Sequence, residues 1–149
     1  MTRITPIARI LLGLVFVVFS VNYLFYTFLP APKDMPQAAG MFAGALVVSH
    51  YMGFIKVIEL VAGLALLANR FTTLALALLA PIIVGIVFFH AALEPAGLPI
   101  ALLALALEVF LAWAYRDAFK PMLHARVAPS GAAALRERDA RVAVVEHTA

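Results

Sequence analysis

Long apolar runs alternate along the sequence with short segments rich in proline or charge. The first run, residues 7–29, would extend about 34 Å as a helix with a rise of about 1.5 Å per residue, which is enough to cross a hydrocarbon core of about 30 Å. Residues 72–93 and 98–115 are two further runs of spanning length, and Pro81 is expected to kink the former. The pattern therefore predicts three membrane-spanning helices here.

Another apolar run, residues 40–68, is too long for one perpendicular span because a helix of that length would extend roughly 43 Å. Polar residues and a glycine at 49–53 predict a break. The break would leave an interfacial or re-entrant piece at 40–48 and a span at 51–68. The sequence as a whole predicts an all-α integral membrane protein, a bundle of four transmembrane helices.

The positions of Lys and Arg predict the orientation, because positive residues near span ends are retained in the cytoplasm. On one side of the predicted bundle, Lys33 is the only loop cation, and it lies beside Asp34. Both termini are therefore expected in the cytoplasm, with the proline-rich turns at 29–36 and 94–99 outside. The cations on the cytoplasmic side are Arg3, Arg9, Arg70, Arg116, Lys120 and Arg126.

The domain boundary is expected after the last span. Residues 1–122 would form the membrane domain. Residues 123–149 would form a cytoplasmic tail, because their charges lie among alanines and valines without a strong hydrophobic face. We expect this tail to be disordered, with a short surface helix after Ser130 as the alternative.

Composition agrees with a membrane location, since 65% of the 149 residues are apolar and 13% are charged. Soluble domains average about 45–50% apolar and about 25% charged residues. A multi-pass protein of a bacterial-type inner membrane is expected, with the lipid bilayer as a partner. The absence of cysteine excludes disulfides, iron–sulfur clusters and thiol redox chemistry. The net charge of +3 reflects the cytoplasmic cations, so nucleic acid is rejected as a partner.

Four polar residues are placed near the membrane midplane: Lys56, Glu59, Glu108 and Asn22. A charged side chain at the centre of a span costs about 3 kcal/mol on insertion scales, so each needs a partner or a function. Lys56 and Glu59 are three residues apart, share one helical face and are expected to pair. Glu108 lies on a stripe of small residues, which predicts that it points into the bundle.

Two interpretations of Lys56, Glu59 and Glu108 stay open. They would form either a buried ionic cluster that specifies helix pairing, or a site that relays protons or binds a polar head group.

A second polar layer lies toward the outer surface. His90 and Glu94 are four residues apart and face the same way, so they could fix an imidazole tautomer or bind a cation. Alternatively, His50 and His90 are interfacial histidines bonded to a carbonyl or a lipid head group. His50, His90 and Glu94 would be the candidate metal or haem ligands, but no accompanying motif occurs, and neither group is expected. An aromatic belt explains Tyr23, Tyr26, Tyr51 and Tyr115.

Several segments resemble the DoxX family of small membrane proteins. They are residues 56–71 (KVIELVAGLALLANRF), 79–84 (LAPIIV, with Pro81), 88–90 (FFH), and 9–13 (RILLG) with Asn22. The resemblance covers residues 7–122 and implies a four-helix membrane bundle. Its second helix would carry a Glu, a small-residue stretch and an Asn/Gly-Arg turn, which here are Glu59, Gly63 and Asn69 with Arg70.

The resemblance also implies a functional context, because family members are associated with membrane oxidoreductase assemblies, including the small subunit of thiosulfate:quinone oxidoreductase. We expect a subunit associated with quinone-linked redox chemistry. Glu59, Lys56 and Glu108 would form its midplane site, and Asn22 and His90 would line the outer approach. Other membrane redox subunits, or further copies of the chain, would be partners.

Two alternatives stay open. One is a non-catalytic scaffold or assembly factor, and the other is proton-coupled transport of a small solute.

Overall fold

The computed structural model describes residues 3–25, 28–29, 35–126 and 131. Of this part of the chain, 85% is helical and none is strand, which confirms the all-α prediction. The helices in chain order are α1 (Ile4–Phe25), α2 (Gln37–Val48), α3 (Tyr51–Leu67), α4 (Thr72–Ala92), α5 (Leu98–Ala114) and α6 (Arg116–Phe119). Short 3-10 helices occupy Pro95–Gly97 and Lys120–Leu123.

Three segments are long and apolar enough to cross a membrane: α1, α4 and the segment Pro95–Ala114 that includes α5. The helices α2 and α3 meet at an angle of 82° and pass the same test only as a bent pair. Three helices can therefore span, or four if the bent pair is one span, which indicates a multi-pass membrane protein.

The predicted break at residues 49–53 is confirmed. His50, between α2 and α3, has φ 61° and ψ 2°, a left-handed conformation that is uncommon for a residue other than glycine. The backbone stays hydrogen-bonded through the corner, because the Ser49 amide donates to Ala45 and the Phe54 amide donates to His50. The chain therefore changes direction here in an ordered turn.

The end of α1 differs from the prediction. The apolar run continues to residue 29, but the helix ends at Phe25, and residues 28–29 form a bend. The amides of Phe28 and Leu29 donate to Oδ1 of Asn22 at 3.3 and 2.7 Å. The prediction that the helix extends to residue 29 was wrong, because the side chain of Asn22 accepts hydrogen bonds from backbone amides that would otherwise continue the helix.

The four long helices form a closed ring in which α1 packs on α3, α3 on α4, α4 on α5 and α5 on α1. The closest approach is between α1 and α3, where a Cβ built at Gly63 would lie 3.0 Å from the carbonyl oxygen of Gly13. Small residues at such a crossing let two backbones pack directly. Fully buried side chains inside the ring include Leu12, Leu66, Leu76, Leu79, Ile83 and Leu111.

A second unit begins at Phe119, and the structure describes its residues 119–126 and 131. The predicted tail at 123–149 falls mainly on residues 127–130 and 132–149, which lie outside the described residues. Tyr26, Lys33 and Asp34 also lie outside them.

Candidate functional site

A cavity of about 450 Å³ occupies one end of the helix ring. Its wall comes from the C-terminal halves of α1 and α4, the N-terminal halves of α3 and α5, and one side of α2. These halves lie together because neighbouring helices run antiparallel. The wall is apolar apart from five polar side chains, Tyr23, Tyr51, Lys56, Glu59 and His90. The volume of the cavity is in the usual range for small-molecule binding sites.

Lys56 and Glu59 form an ion pair at this wall, as predicted from their spacing. The Lys56 ammonium donates to Oε2 of Glu59 at 2.7 Å, and the two side chains are 18% and 2% exposed. The hydroxyl of Ser20, on α1, donates to the same carboxylate oxygen at 3.3 Å. A cation and a hydroxyl therefore both stabilise the buried charge of Glu59.

Ser20 is a functional candidate that spacing within the second span could not identify, because it comes from another helix. The sequence of the first span does contain a pattern that could have indicated Ser20. Ser20 is fully buried and lies on the same face of α1 as Gly13 and Phe16, which are also buried. A small polar residue in phase with a close-packing glycine marks the inner face of a helix.

Arg9 was expected only as an interfacial cation, but the structure also buries it between α1 and α3. Its guanidinium donates to the carbonyl of Leu66 and, at 3.5 Å, to that of Leu67. These carbonyls belong to the last turn of α3, which carries partial negative charge, and the Leu66 carbonyl also accepts from the Asn69 amide at 3.1 Å. Arg9 therefore closes the end of α3 opposite the cavity.

Glu108 points into the ring as predicted, with 5% of its surface exposed. In the described part of the chain, Glu108 forms no hydrogen bond or ion pair with Lys56 or Glu59. The cavity wall takes Ala101 and Ala104 from α5, and Glu108 follows one helical turn further on. Among the described residues, its Oε2 atom is buried without a hydrogen-bond partner.

Asn22 is outside the cavity wall, where its side chain caps the turn after α1. His50 is exposed at the corner between α2 and α3 and is also outside the wall. Within the part of the chain that the structure describes, no group of three or more His, Asp or Glu side chains could hold a metal ion.

His90 lines the cavity and pairs with Glu94, as the four-residue spacing predicted. Its Nδ1 lies 2.8 Å from Oε2 of Glu94 and 2.9 Å from the Glu94 carbonyl oxygen. The Gly97 amide donates to the same carboxylate at 3.1 Å. Gly97 lies directly against the imidazole, since a Cβ there would overlap the ring. Glu94 and Gly97 therefore hold the imidazole in one place.

Comparison with known proteins finds no protein-family model, no curated protein and no solved structure that matches the chain.

Proposed function

We propose that the protein is a DoxX-like membrane protein that binds a quinone in this cavity, as a subunit associated with quinone-linked redox chemistry. The observation that carries the proposal is the composition of the cavity wall, which combines a mostly apolar lining with one ion pair, the buried Glu59 and the partly exposed Lys56. A ligand complementary to this wall has an apolar body and a compact, neutral, hydrogen-bonding head group.

The charge balance of the wall favours a neutral head group over an anionic one. Lys56 and Glu59 neutralise each other at 2.7 Å, so a fatty-acid carboxylate would meet no net positive charge. A lysine ammonium has three N–H donors, and the bond to Glu59 uses one of them. A further donor of Lys56 can serve a neutral carbonyl oxygen, which is the polar group of a quinone.

Shape and aromatic content also favour a ring-bearing ligand. Phenylalanines from three helices line the cavity, and flat rings pack well on such side chains. They are Phe16, Phe19, Phe42 and Phe89. Gly85 leaves room beside them, because a Cβ built there would meet nothing within 4 Å.

The proposal includes four membrane spans, with α2 and α3 together as one of them and both termini in the cytoplasm of a bacterial-type cell. The distribution of Lys and Arg supports this orientation. The cavity would then open toward the outer leaflet, since it lies at the end of the ring that carries Pro95–Gly97.

The test is a calorimetric titration of the purified protein in mild detergent with a short-chain ubiquinone, together with extraction of co-purifying quinones. Gly85→Leu should fill the cavity and weaken binding by about tenfold or more. Gly53→Leu is the matched control, because Gly53 also faces open space but is outside the cavity wall. Absence of binding by the unmodified protein, or equal binding by Gly85→Leu, would overturn the proposal.

A scaffold function is the second candidate, and the link from Ser20 to Glu59 favours it. This hydrogen bond joins α1 to α3, so the Glu59 carboxylate also contributes to helix pairing. The two functions differ in what they predict for a chain without the ion pair.

A further inference from the structure

We propose that Lys56 and His90 form a two-sided head-group site that selects the reduced, hydroxyl-bearing form of the ligand. This inference rests on the proposed function and deepens it. A hydroquinone would bind more tightly than the corresponding quinone, because the cavity wall presents a hydrogen-bond donor at Lys56 and an acceptor at His90.

The hydrogen bonds of His90 determine which ring nitrogen is the acceptor. Nδ1 lies within 2.9 Å of two oxygen atoms of Glu94, and one of them is a backbone carbonyl oxygen. A carbonyl oxygen can only accept, so Nδ1 carries the hydrogen and donates. In the neutral ring, Nε2 then has a lone pair and no hydrogen.

The imidazole of His90 is partly exposed at the cavity wall. Among the described residues Nε2 has no hydrogen-bond partner, and the ring to which it belongs lines the cavity and remains 19% exposed. The ring cannot swing away easily, because Gly97 lies against it and Phe89 contacts it edge to face at 5.2 Å. Nε2 is therefore a fixed acceptor at the cavity wall.

The two oxidation states of the head group differ in what they offer to this acceptor. A quinone has two carbonyl oxygens, so Lys56 can donate to one of them, but Nε2 would face a second lone pair. A hydroquinone has two hydroxyl groups, each of which can donate and accept. One hydroxyl can accept from Lys56 while the other donates to Nε2 of His90, which satisfies both groups.

Glu94 and Gly97 act through the imidazole and are positioning residues. Glu94 fixes the hydrogen on Nδ1 and thereby the lone pair on Nε2. Gly97 keeps the ring at the wall, because any side chain at position 97 would have to displace it. Gly97→Ala therefore moves the acceptor without removing the histidine, the lysine or the carboxylate.

The test measures the binding constants of a short-chain ubiquinone, its hydroquinone and the dimethyl ether of the hydroquinone. The ether has the reduced ring but cannot donate. Titrations are made without oxygen, to keep the hydroquinone reduced. The unmodified protein should bind the hydroquinone about fivefold more tightly than either other compound, the expected effect of one additional hydrogen bond.

The variants test whether the preference for the hydroquinone depends on His90. His90→Leu and Gly97→Ala should abolish the fivefold preference for the hydroquinone over the quinone. Gly53→Ala should keep the fivefold preference, because its Cβ would meet nothing within 4 Å. If His90→Leu does not fold, as judged by its thermal unfolding, Gly97→Ala provides the same comparison.

The outcomes separate this inference from the proposed function. If no compound binds to the unmodified protein, both fail. If quinone and hydroquinone bind equally, or if the preference persists in Gly97→Ala and His90→Leu, the selection is refuted while the quinone site stands. If the ether binds as tightly as the hydroquinone, ring shape and not hydrogen donation is the cause, and the role of His90 is refuted.

Discussion

The carboxylate of Glu59 depends on partners from two helices. Lys56 lies one turn before it on α3, and Ser20 approaches from α1. Removal of one member of an ion pair leaves the other charge buried and uncompensated, whereas removal of both members leaves no unpaired charge. Single and double replacements therefore have different consequences for stability.

Lys56→Leu alone should destabilise the protein by about 3 kcal/mol, because it leaves the charge of Glu59 buried without its cation. Lys56→Leu combined with Glu59→Leu should restore most of that stability. Thermal unfolding in detergent measures both effects. The double variant also separates the two candidate functions: a quinone site predicts binding weakened by about tenfold, and a scaffold predicts function retained. Stable double variants with undiminished quinone binding would contradict the quinone site at Lys56.

Replacement of Glu108 by an apolar residue is expected to stabilise the protein, in contrast to replacement of Lys56 alone. Its Oε2 atom is buried without a hydrogen-bond partner among the described residues, a condition that costs about 1–3 kcal/mol. Glu108→Met has a similar size and no such atom, so it should raise the unfolding temperature. Glu59→Met is the matched comparison and should lower the unfolding temperature, because it leaves the Lys56 ammonium without its carboxylate partner. A lower unfolding temperature for Glu108→Met would show that the carboxyl has a stabilising partner.

The residue pairs within one helix were predictable from sequence, and those between segments were not. Helical phase alone places Lys56 beside Glu59 and His90 beside Glu94. The hydrogen bond of Ser20 depends on how α1 and α3 pack, so no local rule predicts it. The same holds for Asn22, whose partners become available only when the chain turns after α1.

At the scale of helices, the crossing of α1 and α3 determines the geometry of the ion pair. Gly13 and Gly63 bring the backbones together, and the same crossing carries Ser20 to Glu59. The small-residue stretch with Gly63 was expected from the family resemblance, whereas Gly13 was named only as part of a similar segment and not as the residue on which Gly63 packs. By contrast, the polar interruption at residues 49–53 predicted the break before α3, while the 82° angle results from the left-handed backbone of His50.

Gly63→Val should destabilise the protein by about 2 kcal/mol, because its Cβ would meet the backbone oxygen of Gly13 at 3.0 Å, and backbone cannot rotate aside. Gly53→Val on the same helix is the control, since it faces open space. Thermal unfolding measures the difference. If the two variants unfold at the same temperature, the close crossing is refuted.

At the scale of the molecule, many large apolar side chains of the described helices are exposed, while a few polar side chains are buried between the helices. The buried polar residues in the described part are Arg9, Ser20, Glu59 and Glu108. Sequence predicted the helices but not their buried faces, because the spans are apolar all round. Leu79 is fully buried and the adjacent Leu78 is 44% exposed, yet nothing in their type distinguishes them. Only the scattered polar and small residues reveal which side faces inward.

Helix α2 forms one side of the cavity, and its surface would determine the phase from which the proposed quinone arrives. This helix carries no charged residue, and its outer side chains are apolar, with Met41 69% and Val48 80% exposed. Phe42 of α2 contacts Phe89 of α4 with ring centroids 5.8 Å apart, so the contact between these helices is also apolar. A lipophile dissolved in the bilayer would reach this contact without entering water.

Binding should then follow the mole fraction of quinone in the lipid or detergent phase, and not its total concentration. The apparent Kd should rise in proportion to the volume of that phase, while the Kd expressed as a mole fraction stays constant. Titrations at several detergent concentrations measure this directly. A dissociation constant independent of detergent would mean that the ligand arrives from water. With partitioning, the local supply of quinone in a membrane is set by its solubility in lipid, so even modest intrinsic affinity fills the site.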